Sequence, residues 1–183
     1  AYEIVSRDWS SDVCSSDLWQ TFNLGSAARV NFNQPSASSV TLNRVLDHNP
    51  SQIWGRITAP GQVFLVNPSG AYFAPSASVE VGSFLATTHT QSNEDFMAGR
   101  NTWSRNGATG SILNEGQLRA SLGGYVALLA PEVRNLGVVV AQLGTVVLAA
   151  GEAYTLQFEG TGDAYDTTVI GAHHHPGVDF AAP

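Results

Sequence analysis

SILNEGQLRASLGGYVALLAP (Ser111–Pro131) runs straight into EVRNLGVVVAQLGTVVLAAG (Glu132–Gly151), and setting the second under the first decides the fold. Ile112 falls on Val133, Asn114 on Asn135, Gly116 on Gly137, Leu118 on Val139, Ala120 on Ala141, Gly123 on Gly144 and Val126 on Val147, always at an offset of 21. Agreement of glycine, asparagine and apolar positions at one offset marks an internal repeat. Each repeat holds short runs with the strand period of two, glycines between them and no helical periodicity. One such unit cannot bury its own apolar face. Stacked units can, if each strand pairs in parallel with its equivalent one coil on, at a spacing of about 4.8 Å. The reading is therefore all-β: a parallel β-solenoid whose coil length is the offset of the repeat. Asn114 over Asn135 then predicts a side-chain amide ladder along the stack.

The repeat reaches back to APGQVFLVNPSG (Ala59–Gly70). Gly61, Val63, Leu65 and Pro68 precede Gly124, Val126, Leu128 and Pro131 at a constant offset of 63, three times 21. Gly55, Ile57 and Ala59 match Gly116, Leu118 and Ala120 at 61, so a small insertion separates the halves. Asn67, Pro68 and Gly70 suit the first, second and fourth positions of a type I turn closing the run Val63–Val66.

Composition removes several classes of function. The chain has 183 residues, 43% of them hydrophobic and 13% charged, enough for one sizeable core. Its eight basic residues are all arginine and face fifteen acids, for a formal charge of −7. No basic stripe for nucleic-acid phosphates is visible. Apolar runs such as Val146–Ala150 fall far short of the roughly 20 residues of a membrane span, so the chain reads as not membrane-embedded. Cys14 is the single cysteine, which argues against disulfides and cysteine–zinc sites.

Residues 1–17 differ from the rest in composition and rhythm and have no apolar signal-peptide core. They read as a non-native leader resembling a translated adapter junction, or else as an ordinary disordered leader. The β-like text begins at Leu18–Trp19; Val30 with Phe32 and Val40 with Leu42 alternate with polar neighbours, and Asn33–Ser36 (NQPS) punctuates them as a turn. Val79, Val81, Phe84 and Leu85 suggest another coil. HTQSNEDFMAGRNTW, which includes a short helical turn near Asn93–Gly99, reads as an excursion from the stack. The domain reading is a leader at 1–17, a β-solenoid domain at 18–160 and a partial coil or frayed tail at 161–183.

WQTFNLG, VNFNQPSASSVTLNRV, PSQIWGRITAPGQVFLVNPSG, EVGSFLATT, GGYVALLAPEVRNLG and GTVVLAAG together resemble the N-terminal secretion domain of filamentous-haemagglutinin-type exoproteins, the adhesins and haemolysins of bacterial two-partner secretion (TPS). The resemblance implies a right-handed parallel β-helix with short capping or extra-helical β elements. It also implies recognition by periplasmic POTRA domains of an outer-membrane TpsB-type β-barrel transporter. By the same implication, the protein is destined by way of the periplasm for secretion or the surface of a Gram-negative bacterium, where downstream regions meet host or neighbouring cells. The family carries two turn motifs, written NPNL and NPNG. Asn67, Pro68, Ser69 and Gly70 match the second with serine for the second asparagine, and Asn33, Gln34, Pro35 and Ser36 occupy the place of the first with different wording.

Other residues invite chemical readings. His173 and His175 would share a strand face as half a metal site, but no acid or cysteine completes it, so no metal or cofactor is expected. His48 and His89 are isolated and read as exposed. A polysaccharide-degrading β-helix enzyme would gather carboxylates on successive coils, whereas Glu115 and Glu132 differ by 17 in number, out of register with the repeat. A carbohydrate- or cell-binding module would use Trp54, Tyr72 and Trp103, which also suit packing on the stack. The expectation is a non-enzymatic secretion domain.

Overall fold

A computed structural model describes the backbone at residues 3–5, 14–161, 164–170 and 178–180, with side chains over 14–156. The chain winds into a parallel β-solenoid of about six turns with about 22 residues per turn. Three parallel sheets form its walls. Sheet one stacks β1 (Glu3–Val5), β3 (Arg29–Asn31), β6 (Arg56–Thr58), β9 (Ser78–Val81), β13 (Gln117–Ala120) and β16 (Val138–Ala141). Sheet two stacks β2 (Cys14–Trp19), β4 (Val40–Val45), β7 (Gln62–Val66), β10 (Ser83–Thr87), β14 (Tyr125–Ala130) and β17 (Thr145–Ala150). Sheet three stacks β5 (Ser51–Ile53), β8 (Gly70–Phe73), β12 (Ser111–Asn114), β15 (Glu132–Asn135) and β20 (Val178–Phe180).

Alignment of apolar rungs fills the interior. Val30, Ile57, Val79, Leu118 and Val139 are successive register partners in sheet one. Val63, Phe84 and Val126 do the same in sheet two, and Ala71, Ile112 and Val133 in sheet three. These side chains belong to one core cluster, with Val139 packed against it. Each fully buried large apolar side chain contributes about 1.5–3 kcal/mol. The amide ladder is present: Asn114, fully buried, donates from Nδ2 to Asn135 Oδ1 at 2.7 Å.

The excursion after Thr87 is a cap. Helix α1 (Asn93–Met97) is N-capped by Ser92, whose Oγ accepts from the Asp95 N–H at 3.0 Å. Strand β11 (Thr102–Ser104) then pairs antiparallel with β18 (Ala153–Thr161), which pairs antiparallel with β19 (Ala164–Ile170). Phe96, Trp103, Tyr154 and Leu156 from this cap form a second core with Leu42, Phe64, Leu85, Ala127 and Leu129 on the outer face of sheet two. Phe64 meets Phe96 and Trp103 edge-on, at centroid distances of 6.4 and 5.9 Å. Every residue of β14 is buried because both faces of that strand are covered.

Several sequence expectations are corrected. His89 is not exposed: it is fully buried at the junction between stack and cap, whereas His48 is exposed. Val126 partners Val146, at an offset of 20, and not Val147. The turn Ser121–Gly124 is closed by Gly124 N–H to Ser121 O, and the next by Gly144 N–H to Ala141 O, so Gly144 stacks on Gly124 and Leu143 takes the left-handed place of Gly123 (φ 49° and 75°). A single position is lost between the rung at Ala141 and the turn. The shift exchanges faces, placing Leu148 against the interior and Val147 in the outer core. Strand β2 covers Cys14–Trp19 and β18 covers Ala153–Thr161. His173–His175 lie outside the described residues.

A Cβ on Gly144 would overlap the backbone carbonyl of Gly124, whereas nothing lies within 4 Å of one on Gly25. Gly144→Ala should therefore destabilise the fold by about 2 kcal/mol or more and Gly25→Ala by less than about 0.5 kcal/mol, read from urea unfolding midpoints.

Candidate functional site

Asn67 follows β7, and the chain must turn there to start β8 at Gly70. The turn is closed by the Gly70 N–H donating to the Asn67 carbonyl at 2.9 Å. Among the described residues, positive φ at a non-glycine occurs only at Asn106 and Leu143, so Ser69 does not have the φ of a type II turn. Gly70 itself has φ 111°, a region open to glycine alone, and a Cβ there would collide with the Ser111 carbonyl.

The polar groups of this turn are spent on neighbouring coils. Asn67, 1% exposed, donates from Nδ2 to the Asn49 carbonyl (3.1 Å) and to Ser51 Oγ (3.0 Å), and its Oδ1 accepts from the Ser69 N–H (2.9 Å). The Asn67 N–H donates to the Thr87 carbonyl at 3.0 Å. Ser69 Oγ donates to the Asp47 carbonyl at 3.0 Å, and the Pro68 carbonyl accepts from the Gly110 N–H at 3.2 Å. The motif thus ties the preceding coil, at 47–51, to the point where the excursion rejoins the stack, at Gly110–Ser111. What it leaves to solvent is the half-buried edge of Pro68 and Ser69, beside an open recess of about 440 Å³ lined by His48 and residues 107–111.

The second motif grips the other end of β7. Gln34 Nε2 donates to the Gln62 carbonyl (2.8 Å) and to Thr41 Oγ1 (3.0 Å), while its Oε1 accepts from the Gly61 N–H (2.8 Å). Asn33 Oδ1 accepts from Asn31 Nδ2 at 2.8 Å. The Ser36 N–H donates to Ser39 Oγ at 3.2 Å, and Pro35 and Ser36 are exposed. The motifs do not touch. They sit at opposite ends of the strand Gln62–Val66, roughly 15 Å apart at strand rise.

Among the described residues, the side chains with chemical potential do not come together. Glu132 pairs with Ser111 at the start of β12, and Glu115 lies just past its end, so the two carboxylates are separated by the length of that strand. Glu115 Oε2 accepts from the Tyr72 hydroxyl at 2.5 Å, a bond that holds the phenol above its ordinary pKa. Among the described residues no group of three metal-ligating side chains converges. Trp103 is fully buried beneath the cap, while Trp54 is 42% exposed with its ring edge-on to Tyr72. No helix among the described residues is long and apolar enough to cross a membrane. Reading the sequence missed Asn43, fully buried inside the solenoid, where its Oδ1 accepts from Trp19 Nε1 (3.0 Å) and its Nδ2 donates to the Phe64 carbonyl (3.2 Å). Its position between Leu42 and Arg44 gave no sign of that orientation.

The sequence profile of the TPS secretion domain matches residues 10–177, and the chain belongs to that family. It is 34% identical over 144 residues to a heme/hemopexin-binding protein of Haemophilus influenzae, an alignment covering 75% of this chain and 16% of that protein. A second heme/hemopexin-binding protein of Haemophilus influenzae is 43% identical over 70 residues, covering 38% of this chain and 8% of its own length. The chain therefore spans a small part of the curated relatives it matches. The crystal structure of the HMW1 secretion domain from Haemophilus influenzae shares its fold, with a TM-score of 0.79 at 29% identity, over 88% of this chain and 42% of that one. Membership assigns a secretion-targeting role, in a family of secretion domains rather than of enzymes.

The bond network ranks the motif residues. Asn67→Ala strands buried partners and should cost about 2–3 kcal/mol, Gln34→Ala about 1–2 kcal/mol and the exposed Pro35→Ala less than about 0.5 kcal/mol. Chemical denaturation of the three variants checks that order.

Proposed function

We propose that this chain is the non-catalytic secretion and recognition domain of a longer bacterial exoprotein of adhesin or haemagglutinin type. It is recognised by the periplasmic POTRA domains of an outer-membrane TpsB-type transporter and nucleates β-solenoid folding at the cell surface. The observation that carries this reading is the double clamp on β7 within a member of a secretion-domain family. Gln34 and Asn67 make a coil register only once its neighbours are in place. Each added coil then gains ladder bonds and about 25 cal/mol for every Å² of apolar surface buried, against the entropy of ordering its residues. Such stepwise gain favours outward movement of an emerging chain without a nucleotide. Asn67–Gly70 serves this as a corner that ties coils together, and Asn33–Ser36 as the matching clamp.

Trp54, exposed beside Tyr72, is the observation favouring a second reading, a carbohydrate- or cell-binding surface; loss of glycan retention in Trp54→Ala would support it.

The main reading is tested by expressing the native exoprotein behind a signal peptide with and without its cognate transporter. Release into the medium should require the transporter, and transporter-independent release would overturn the recognition role. In the same assay Asn67→Ala combined with Gly70→Val should slow refolding and reduce release while leaving capture by isolated POTRA domains intact. Loss of capture with unchanged refolding would instead make the turn a direct contact.

A further inference from the structure

We infer that His89 is a pH-sensitive latch fastening the extra-helical cap to the solenoid, closed when the imidazole is neutral and released on mild acidification. His89 lies where the chain leaves sheet two for the cap, just past the end of β10 at Thr87. Its Nε2 reaches the carbonyl of Gly151 at 2.9 Å, where the chain returns from β17 to build β18. One ring therefore joins the outgoing and incoming segments of the excursion. The His89 N–H is held by Thr87 Oγ1 at 2.9 Å, and the ring lies against Tyr154 at a centroid distance of 5.0 Å.

These partners dictate the protonation state. A carbonyl can only accept, so Nε2 carries the hydrogen, and Nδ1, with the Thr88 hydroxyl at 3.4 Å, carries none in the neutral ring. A proton added at Nδ1 would place a charge in a site with no exposed surface. The bond to the Gly151 carbonyl and the Glu152 carboxylate favour the charged ring, but they do not outweigh the burial. Glu152 is ion-paired with Arg105, and Arg105 itself opposes a second positive charge nearby. Tyr154, whose phenol burial pushes up to about 12, stays neutral. Burial is the leading cause that lowers the His89 pKa below its ordinary value.

The cap is the part of the molecule suited to opening. Gln91 Oε1, Trp103 Nε1 and the Tyr154 hydroxyl are buried under it without a hydrogen-bond partner, whereas Asn43 and Asn114 in the stack are satisfied. Buried polar groups left unpaired weaken the unit that holds them, and opening lets water reach them. The closed state disfavours the proton and the open state takes it with an ordinary pKa near 6.5. The latch thus holds fully above that pH and weakens as pH falls toward the lowered pKa of the closed state, below which the effect levels off.

Amide hydrogen exchange of the whole chain tests this at the Thr90 and Ser104 N–H groups, which each donate to the other residue's carbonyl at the base of the cap. After correction for intrinsic rates, the cap opening constant should rise by up to about tenfold per pH unit between about pH 6.5 and pH 5. Amides of β7 and β14 in the stack should not follow. His89→Gln retains an N–H donor for the Gly151 carbonyl but does not titrate, so its cap should open equally at both pH values. The same pH dependence in wild type and variant would overturn the latch. Should the variant fail to fold, NMR titration of the wild-type imidazole decides: a pKa at or above about 6.5 overturns the inference, and a lower one upholds it.

Discussion

The structure depends on one constraint: every coil must present its backbone to the next on the same rungs of three parallel sheets. Coil length is free only where the chain is not on a rung. Arg56 partners Ser78, a step of 22 in number, and Gln62 partners Ser83, a step of 21. Phe84 partners Val126, a step of 42, and is still in register. Extra residues are expelled at corners or as the cap, whose chain rejoins when Ser111 lands beside Gly70. Corners that must approach within backbone contact exclude side chains, hence Gly144 on Gly124.

The cap solves a second problem. A solenoid wall has two faces, and the outer face of sheet two carries Leu42, Phe64, Leu85, Ala127 and Leu129. Exposed, that surface would be an aggregation hazard during export. Phe96, Trp103, Tyr154 and Leu156 cover it, and this double burial accounts for the unbroken apolar run YVALLA. The cover is joined to the stack by bonds of a different kind from the ladders. Those include His89 to Gly151 and Arg44, which donates to Ser16 Oγ on the stack and to the Gln91 carbonyl in the cap.

The turns at Asn33–Ser36 and Asn67–Gly70 face inward as much as outward. Asn67 has no free polar atom to offer a partner, and Gln34 is likewise engaged on both amide atoms. Their shared object is β7, the strand between them, which carries both an interior row (Val63, Leu65) and an outer row (Phe64, Val66). Both turns therefore fix β7 against its neighbouring coils.

Much of this was legible in the residues. The constant offset between Ser111–Pro131 and Glu132–Gly151 specified parallel coils and the Asn114–Asn135 ladder, because rungs repeat and repetition is visible in text. The corner at Asn67–Gly70 was legible too, since proline and glycine restrict the backbone locally. Three features needed the tertiary structure. Val40 and Leu42 alternate as an inward strand would, yet they pack under the cap while Thr41 and Asn43 face the interior. Alternation says that two faces differ and not which face is the core, and here both were apolar environments. The Val126–Val146 register turned on a single position lost before a turn, which glycine matching alone placed wrongly. His89 looked solitary because its partner, Gly151, is a backbone carbonyl far along the chain. Period and corner are local properties that the sequence determined by itself. Facing, register across a turn and long-range backbone contacts depend on what the rest of the chain places nearby, and only the folded structure decided them.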